Sequence, residues 1–368
     1  MIGALRTPEQ QTVTVFGGSG FLGRYVVSRL AERGYRVLVP TRQPNLANFL
    51  PLGKVGQIHP IHANLRHEDS VAHAVARADH VVNLVGILQE TGRQRFDTLQ
   101  ARAPAMIARL AGKAVSFTHV SAIGADANSE SAYARTKAEG EAALLETRPD
   151  AVILRPSLMF GPGDSSFNRF GTLARMLPVL PLPGAGTRFQ PVYAGDVAEA
   201  VVRAVDGAVP AGRAYELGGP EIRTMRQMME FVFEVTERKR VIVPVPNNLA
   251  RTMGSVLGAL DWATLGLIPN ELVTTRDQAV LLETDNVVSE GAIREGRTLQ
   301  GLGLTPTTIE AIVPSYLLRF RKTGQFDLKR NAPPGSTPDL LAPRSGGPAS
   351  DFHPERAAGP AVGQSSSR

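Results

Sequence analysis

The stretch that most constrains this 368-residue chain is Thr12 to Leu38, TVTVFGGSGFLGRYVVSRLAERGYRVL. Thr12 to Phe16 is a short β-branched and aromatic run, the signal of a buried strand. It breaks into Gly17-Gly18-Ser19-Gly20-Phe21-Leu22-Gly23, and the residues that follow put Leu22, Val26, Val27 and Leu30 on one helical face. Gly34 ends that helix, and Tyr35 to Val39 reads as a second strand. Strand, glycine turn, helix, strand is the context that makes a glycine pattern a dinucleotide site. Gly17 suits the tight turn, Gly20 lets a pyrophosphate approach the backbone, and Gly23 lets helix and strand pack closely. The helix start, at Phe21 and Leu22, turns unpaired N–H groups toward the phosphates, with Ser19 beside them.

The chain then alternates. Strands are expected at Ile58–Leu65, His80–Leu88 and Val115–Ser121, with helices at Asp69–Arg77 and Phe96–Ala111 between them. Alternation of this kind predicts an α/β fold of Rossmann type, a doubly wound parallel sheet. Asn64 and Leu65, which end the third strand, and Leu84, Val85 and Gly86, within the fourth, are assigned to the cofactor. After the second strand, where an acid would accept from an NAD ribose, the sequence carries Arg42. An arginine pairs with a 2′-phosphate through two hydrogen bonds, so NADP(H) is favoured over NAD(H). A solvated surface arginine is the other reading of Arg42. Ser121 ends the fifth strand, and Tyr133 and Lys137 follow four residues apart, on one helical face. A nearby ammonium is expected to lower the tyrosine pKa toward neutrality. Tyr133 then serves as proton donor or acceptor, Lys137 reaches the nicotinamide ribose, and Ser121 steadies the substrate oxygen.

Composition narrows the alternatives. The chain has no cysteine, which excludes disulfides, thiolate catalysis and cysteine metal sites. His59, His62 and His67 match no compact zinc spacing, so no metal is expected. The formal net charge of +6 is dispersed and has few aromatics among it, which does not favour nucleic acid. The first residues lack the apolar core of a signal peptide, and no apolar run reaches the ~18–20 residues of a spanning helix. A cytoplasmic protein is expected, with peripheral contact at the cytoplasmic face of the inner membrane as a further option. The nearest apolar stretch, Leu249 to Ile268, is interrupted by Arg251 and Asp261. It suits a core helix, a partner contact or a membrane surface.

The glycines, Asn83 to Gly86, Ser121, Tyr133 and Lys137 resemble the extended or atypical short-chain dehydrogenase/reductases. Arg155 to Asp164, RPSLMFGPGD, is similar to a segment of that branch in which Pro156 lies near the nicotinamide. Phe189 to Ala200 resembles its later strand and helix, with Asp196 expected to cap the helix. A narrower resemblance spans residues 12–328. GGSGFLGRYVV, HVVNLVGIL, YELGGP, TTRDQAVLLETDNVVS and LGLTPTTIEAIVPSYLLRFRKTG resemble the NADPH-binding accessory subunits of respiratory complex I and their bacterial relatives. That resemblance implies a tightly held, structural nucleotide, peripheral-arm partners and a position near the membrane and the quinone site. Some mitochondrial members lack the tyrosine, whereas this chain keeps Tyr133 and Lys137.

The expected organisation is an N-terminal extension (1–11), a nucleotide-binding domain (12–156) with later returning strands, a smaller C-terminal cap (157–330) and a disordered tail (331–368). The tail is rich in Pro, Gly, Ser and Ala. Thr224–Val235 is expected to be helical, Val241–Val243 to be a short strand, and Thr307–Phe320 to be an amphipathic helix. The last ends in Arg319, Arg321 and Lys322, which suit either a helix C-terminus or an anionic lipid or acidic partner. Three functions follow. The first is an NADP(H)-binding accessory subunit of complex I. The second is an NAD(P)-dependent oxidoreductase or epimerase acting on a sugar nucleotide or a quinone- or isoprenoid-related substrate. The third is an NADP-sensing regulator in which no hydride moves.

Overall fold

The computed structural model describes residues 7–46, 53–112, 114–246 and 276–322, together with Leu249 and Thr252. The expected tail and, apart from those two residues, the apolar stretch 249–268 lie outside the described residues.

The first half runs β1 (Thr12–Phe16), α1 (Phe21–Glu32), β2 (Arg36–Thr41), β3 (Ile58–His62), α2 (Glu68–Val75), β4 (His80–Asn83), α3 (Ala103–Leu110), β5 (Ser116–Val120), α4 (Ala132–Thr147) and β6 (Val152–Pro156). Then come β7 (Met159–Phe160), α5 (Ser166–Met176), β8 (Val179–Pro183), β9 (Arg188–Phe189), β10 (Val192–Tyr193), α6 (Ala194–Val205) and β11 (Arg213–Leu217). The chain continues through β12 (Arg223–Thr224), α7 (Met225–Val235), β13 (Val241–Val245), α8 (Arg276–Leu281), α9 (Glu290–Arg294) and α10 (Ile309–Leu317).

Seven strands form a parallel sheet in the order β11-β6-β5-β4-β1-β2-β3. Both faces are covered, which is why Val13 to Phe16 of β1 and all four residues of β4 are buried, the polar Thr14, His80 and Asn83 included. Val13 and Val15 meet α1 and α6, whose Val26, Val27, Val197 and Val201 are fully buried. Phe16, Val81 and Phe117 meet α2, α3 and α4 on the other face. The strand order reverses between β1 and β4, and the carboxyl ends of those strands open the crevice where such sheets take their ligands. A second apolar core lies among α5, α7 and α10, around Phe167, Met228, Val232 and Val313.

Several boundaries differ from the sequence reading. β3 stops at His62 and β4 at Asn83, so Asn64, Leu65 and Leu84–Gly86 stand in the loops beyond the strands. The expected helix Phe96–Ala111 is a π-helical segment, Asp97–Arg102, followed by α3. Pro104 has no N–H to give to the carbonyl four residues back, which favours the wider turn. Asp196 does not cap α6. Tyr193 occupies the cap position, and Asp196 accepts from the Thr307 N–H (2.7 Å) and hydroxyl (3.1 Å). Its carboxylate therefore joins the first turn of α6 to the loop before α10.

Candidate functional site: a nucleotide cleft with a Ser-Tyr-Lys end

A cleft of about 770 Å³ opens at the carboxyl ends of the sheet strands. Every residue assigned above to nucleotide binding or catalysis lines it. Gly17, Ser19, Gly20, Phe21, Leu22 and Gly23 form the β1–α1 turn, with Arg42 after β2 and Asn64 and Leu65 after β3. Leu84, Val85 and Gly86 follow β4, and Ser121, Tyr133, Lys137 and Pro156 stand at the far end.

The turn is built for close approach. Gly17 has φ +77°, and a Cβ on Gly23 would sit 2.1 Å from the Gly17 carbonyl oxygen, so α1 packs against its own turn only with glycine there. Arg42 is exposed and makes no hydrogen bond or ion pair among the described residues. Arg66 and Arg93 line the same cleft, and sequence reasoning gave them no role.

At the other end Lys137 is buried, and its Nζ donates to the Val120 carbonyl at 3.3 Å. Burial pulls its pKa down to about 8, with Glu141 opposing. Glu141 itself is held by Arg155. Ser121 is buried, and its Oγ has no hydrogen-bond partner among the described residues. Tyr133 packs edge-to-face on Phe96, ring centroids 6.1 Å apart. The expected acidification of Tyr133 does not occur. Burial, and then the carboxylate of Asp277, push its pKa up to about 12. Removal from water disfavours the phenolate, and Asp277 adds a second negative charge close by.

Behind these residues lies a buried polar pair. His119 Nδ1 and Asn83 Nδ2 are 3.2 Å apart. Burial, reinforced by Lys137, lowers the His119 pKa to about 3, so the ring is neutral at pH 7.

Two residues without a role in the sequence reading hold the site together. Asp277, in α8, accepts from the Ala132 N–H (2.6 Å) and the Ser131 hydroxyl (3.0 Å) at the head of α4. Asn286 donates to the Ile123 carbonyl (2.9 Å), and its side-chain oxygen accepts from the Ser157 hydroxyl (2.7 Å). It thereby joins the loop after β5 to the end of β6. Both belong to the TTRDQAVLLETDNVVS stretch, which sequence singled out by resemblance alone. Asp164, at the end of GPGD, is buried, and burial raises its pKa. It accepts from the Gly161 and Asn168 N–H groups and the Tyr316 hydroxyl, tying the loop after β7 to α10.

The model of the NAD dependent epimerase/dehydratase family matches residues 13–218, from β1 through β11. This chain belongs to that family. It is 34% identical over 318 residues to the mitochondrial NADH dehydrogenase [ubiquinone] 1 alpha subcomplex subunit 9 of Arabidopsis thaliana, covering 84% of this chain and 78% of the other. It is 29% identical over 299 residues to the ceramide reductase of Caulobacter vibrioides, 79% and 90% of the two chains. Its fold matches the solved triphenylmethane reductase of Citrobacter with a TM-score of 0.64 at 16% identity, covering 83% of this chain and 99% of that one.

Like its family, the chain binds a nicotinamide dinucleotide, and its residues fit one. The glycine turn admits a pyrophosphate at the helix start, and the Ser121 hydroxyl is left for a group inside the cleft. Among the described residues no cluster of His, Asp and Glu could hold a metal ion. No helix among them is long and apolar enough to cross a membrane.

Proposed function

We propose that this protein is an accessory subunit of a respiratory NADH:quinone oxidoreductase and holds NADP(H) as a structural ligand. The observation that carries the reading is the likeness to the Arabidopsis subunit, which extends over 84% of this chain, past the 13–218 span of the family model. The part beyond that span includes Asp277 and Asn286, which tie the Ser-Tyr-Lys end of the cleft to the rest of the fold. The state of Tyr133 supports the same reading, because a phenol pushed up to about 12 is poorly matched to proton transfer near neutral pH. Arg42 is the group proposed to pair with the 2′-phosphate.

A nucleotide bound only by the folded form acts through linkage. At ~100 times its Kd it adds about 2.7 kcal/mol of stability. The test is purification from native membranes in mild detergent, followed by identification of co-purifying proteins and of the nucleotide released on denaturation. Peripheral-arm subunits with stoichiometric, non-exchanging NADP(H) are expected. An intact complex isolated without this chain would overturn the proposal.

The Ser121–Tyr133–Lys137 end supports a second reading, an oxidoreductase or epimerase, because the three side chains line one cleft and Ser121 has an uncommitted hydroxyl. In that reading Tyr133 gives its proton to a substrate carbonyl oxygen while Ser121 donates a hydrogen bond to the same oxygen. Lys137 orients the ribose and the phenol. The nicotinamide, when bound, supplies the hydride to the carbonyl carbon. Tyr133→Phe then retains nucleotide but loses turnover, and equal activity of the variant would exclude this chemistry.

A further inference from the structure

The second core ends in an exposed aliphatic surface. β8 and β13 form a two-stranded parallel sheet with Val241 opposite Val179 and Val243 opposite Pro181. Side chains alternate along a strand, so these four residues share one face. Leu180, Leu182 and Ile242 point the other way, into the second core. That face is open along most of its length: Val179 is 49% exposed, Val241 61% and Val243 46%, and Met176 at the end of α5 is 46% exposed, while Val245, next on the same face, is buried with Ala279. Contiguous exposed aliphatic groups of this kind mark a contact surface.

Cations rim that face. Arg240 directly precedes Val241, and its Nε donates to the Ala174 carbonyl in the last turn of α5 (2.7 Å). Arg175 and Arg319 both stand over the Phe320 ring, at 5.8 and 4.9 Å from its centroid. Arg238 donates to the Phe320 carbonyl at 2.8 Å. Lys239 is exposed between Arg238 and Arg240. The acid in this stretch, Glu237, is paired with Arg321 at 2.9 Å. Several of these arginines satisfy carbonyls at helix ends, which accounts for their position. It does not account for gathering so many like charges beside an aliphatic sheet face.

We propose that this face, Met176, Val179, Val241 and Val243 with the cations Arg175, Lys239 and Arg240, docks on an anionic lipid surface. Aliphatic side chains that enter the headgroup boundary, flanked by cations that pair with lipid phosphates, combine the two terms that hold peripheral proteins on membranes. None of these residues lines the nucleotide cleft. An acidic protein could match the charge, but the open aliphatic face favours a layer with an apolar interior.

The test is sedimentation of the full chain, with its nucleotide bound, with vesicles of phosphatidylcholine alone or mixed with phosphatidylglycerol. Binding to the mixed vesicles only, reversed at high salt, is expected. Arg175→Glu/Lys239→Glu is expected to weaken binding by about tenfold or more. Val241→Ser/Val243→Ser, which leaves the charge unchanged, is expected to weaken it as well. The remote reversal Lys54→Glu/Arg77→Glu should leave it within about twofold, because charges beyond a Debye length are screened. Melting temperature and retained nucleotide identify any variant that misfolds. Three results would each overturn the proposal: no binding to mixed vesicles, as an acidic protein partner would give; equal binding to neutral vesicles; or patch variants that bind as the parent does.

Discussion

The carboxylate of Asp277 accepts the backbone N–H of Ala132 at 2.6 Å, joining residues 145 positions apart. The bond fixes the first turn of α4, the helix that carries Tyr133 and Lys137, and sets a negative charge close to the tyrosine. Asp277→Ala removes a charge-assisted bond and is expected to cost about 1.5–3 kcal/mol, read as a lower melting temperature and faster nucleotide release. Asp277→Asn keeps an acceptor but not the charge. Its Tyr133 should titrate below the parent's value of about 12, measured as tyrosinate absorbance with Tyr133→Phe as the blank. An unchanged titration would assign the whole shift to burial.

Arg42 tests the nucleotide preference. Arg42→Asp is expected to weaken NADPH by about 1.5–3 kcal/mol, a factor of roughly 10–100, with little change for NADH. Calorimetric titration of both nucleotides separates the two. Equal losses, or none, would remove Arg42 from the 2′-phosphate.

Gly23→Ala places a methyl 2.1 Å from the Gly17 carbonyl oxygen. Backbone has to shift on both sides of the turn, at a cost of about 1–3 kcal/mol or more. Loss of bound nucleotide together with a lower melting temperature is expected. A variant that kept its nucleotide would show that α1 and the turn separate without harm.

The buried bases give a pH dependence with a definite sign. Lys137 titrates at about 8 in the fold, below its ordinary 10.5. Between those values the unfolded chain holds the extra proton, so the nucleotide-free protein gains stability from about pH 8 up to about 10. Above pH 10 the unfolded Tyr133 ionises first, because its folded value is about 12, and stability falls. On the acid side His119 stays neutral down to about pH 3 against an ordinary 6.5. Stability is therefore lost as pH falls below 6.5. Denaturant melts of the parent, Lys137→Met and His119→Gln check both limbs. Each variant should flatten its own limb.

The N-terminal half was readable because its signals are local. Thr12 to Phe16, the glycine turn and the face made by Leu22, Val26 and Leu30 lie within a few turns of chain, and the sheet formed as the alternation implied. Strand ends were less legible, since β3 and β4 stop where pairing with neighbouring strands stops, which apolar content does not record. Asp196 departs from its expected role for a related reason. Its place in a helix's first turn suggested a cap, but its partner is Thr307.

Sequence by itself determined the α/β class, the nucleotide turn and the one-turn spacing of Tyr133 and Lys137, because each depends on the backbone geometry of adjacent residues. Only the tertiary structure decided the protonation of that pair. A spacing of four residues predicted an acidic phenol. Burial and Asp277, delivered from 144 residues away, made it a weaker acid instead. The cost of taking a charge out of water, and the position of a distant carboxylate, are properties of the packed interior. Neither is written in any local stretch of the chain.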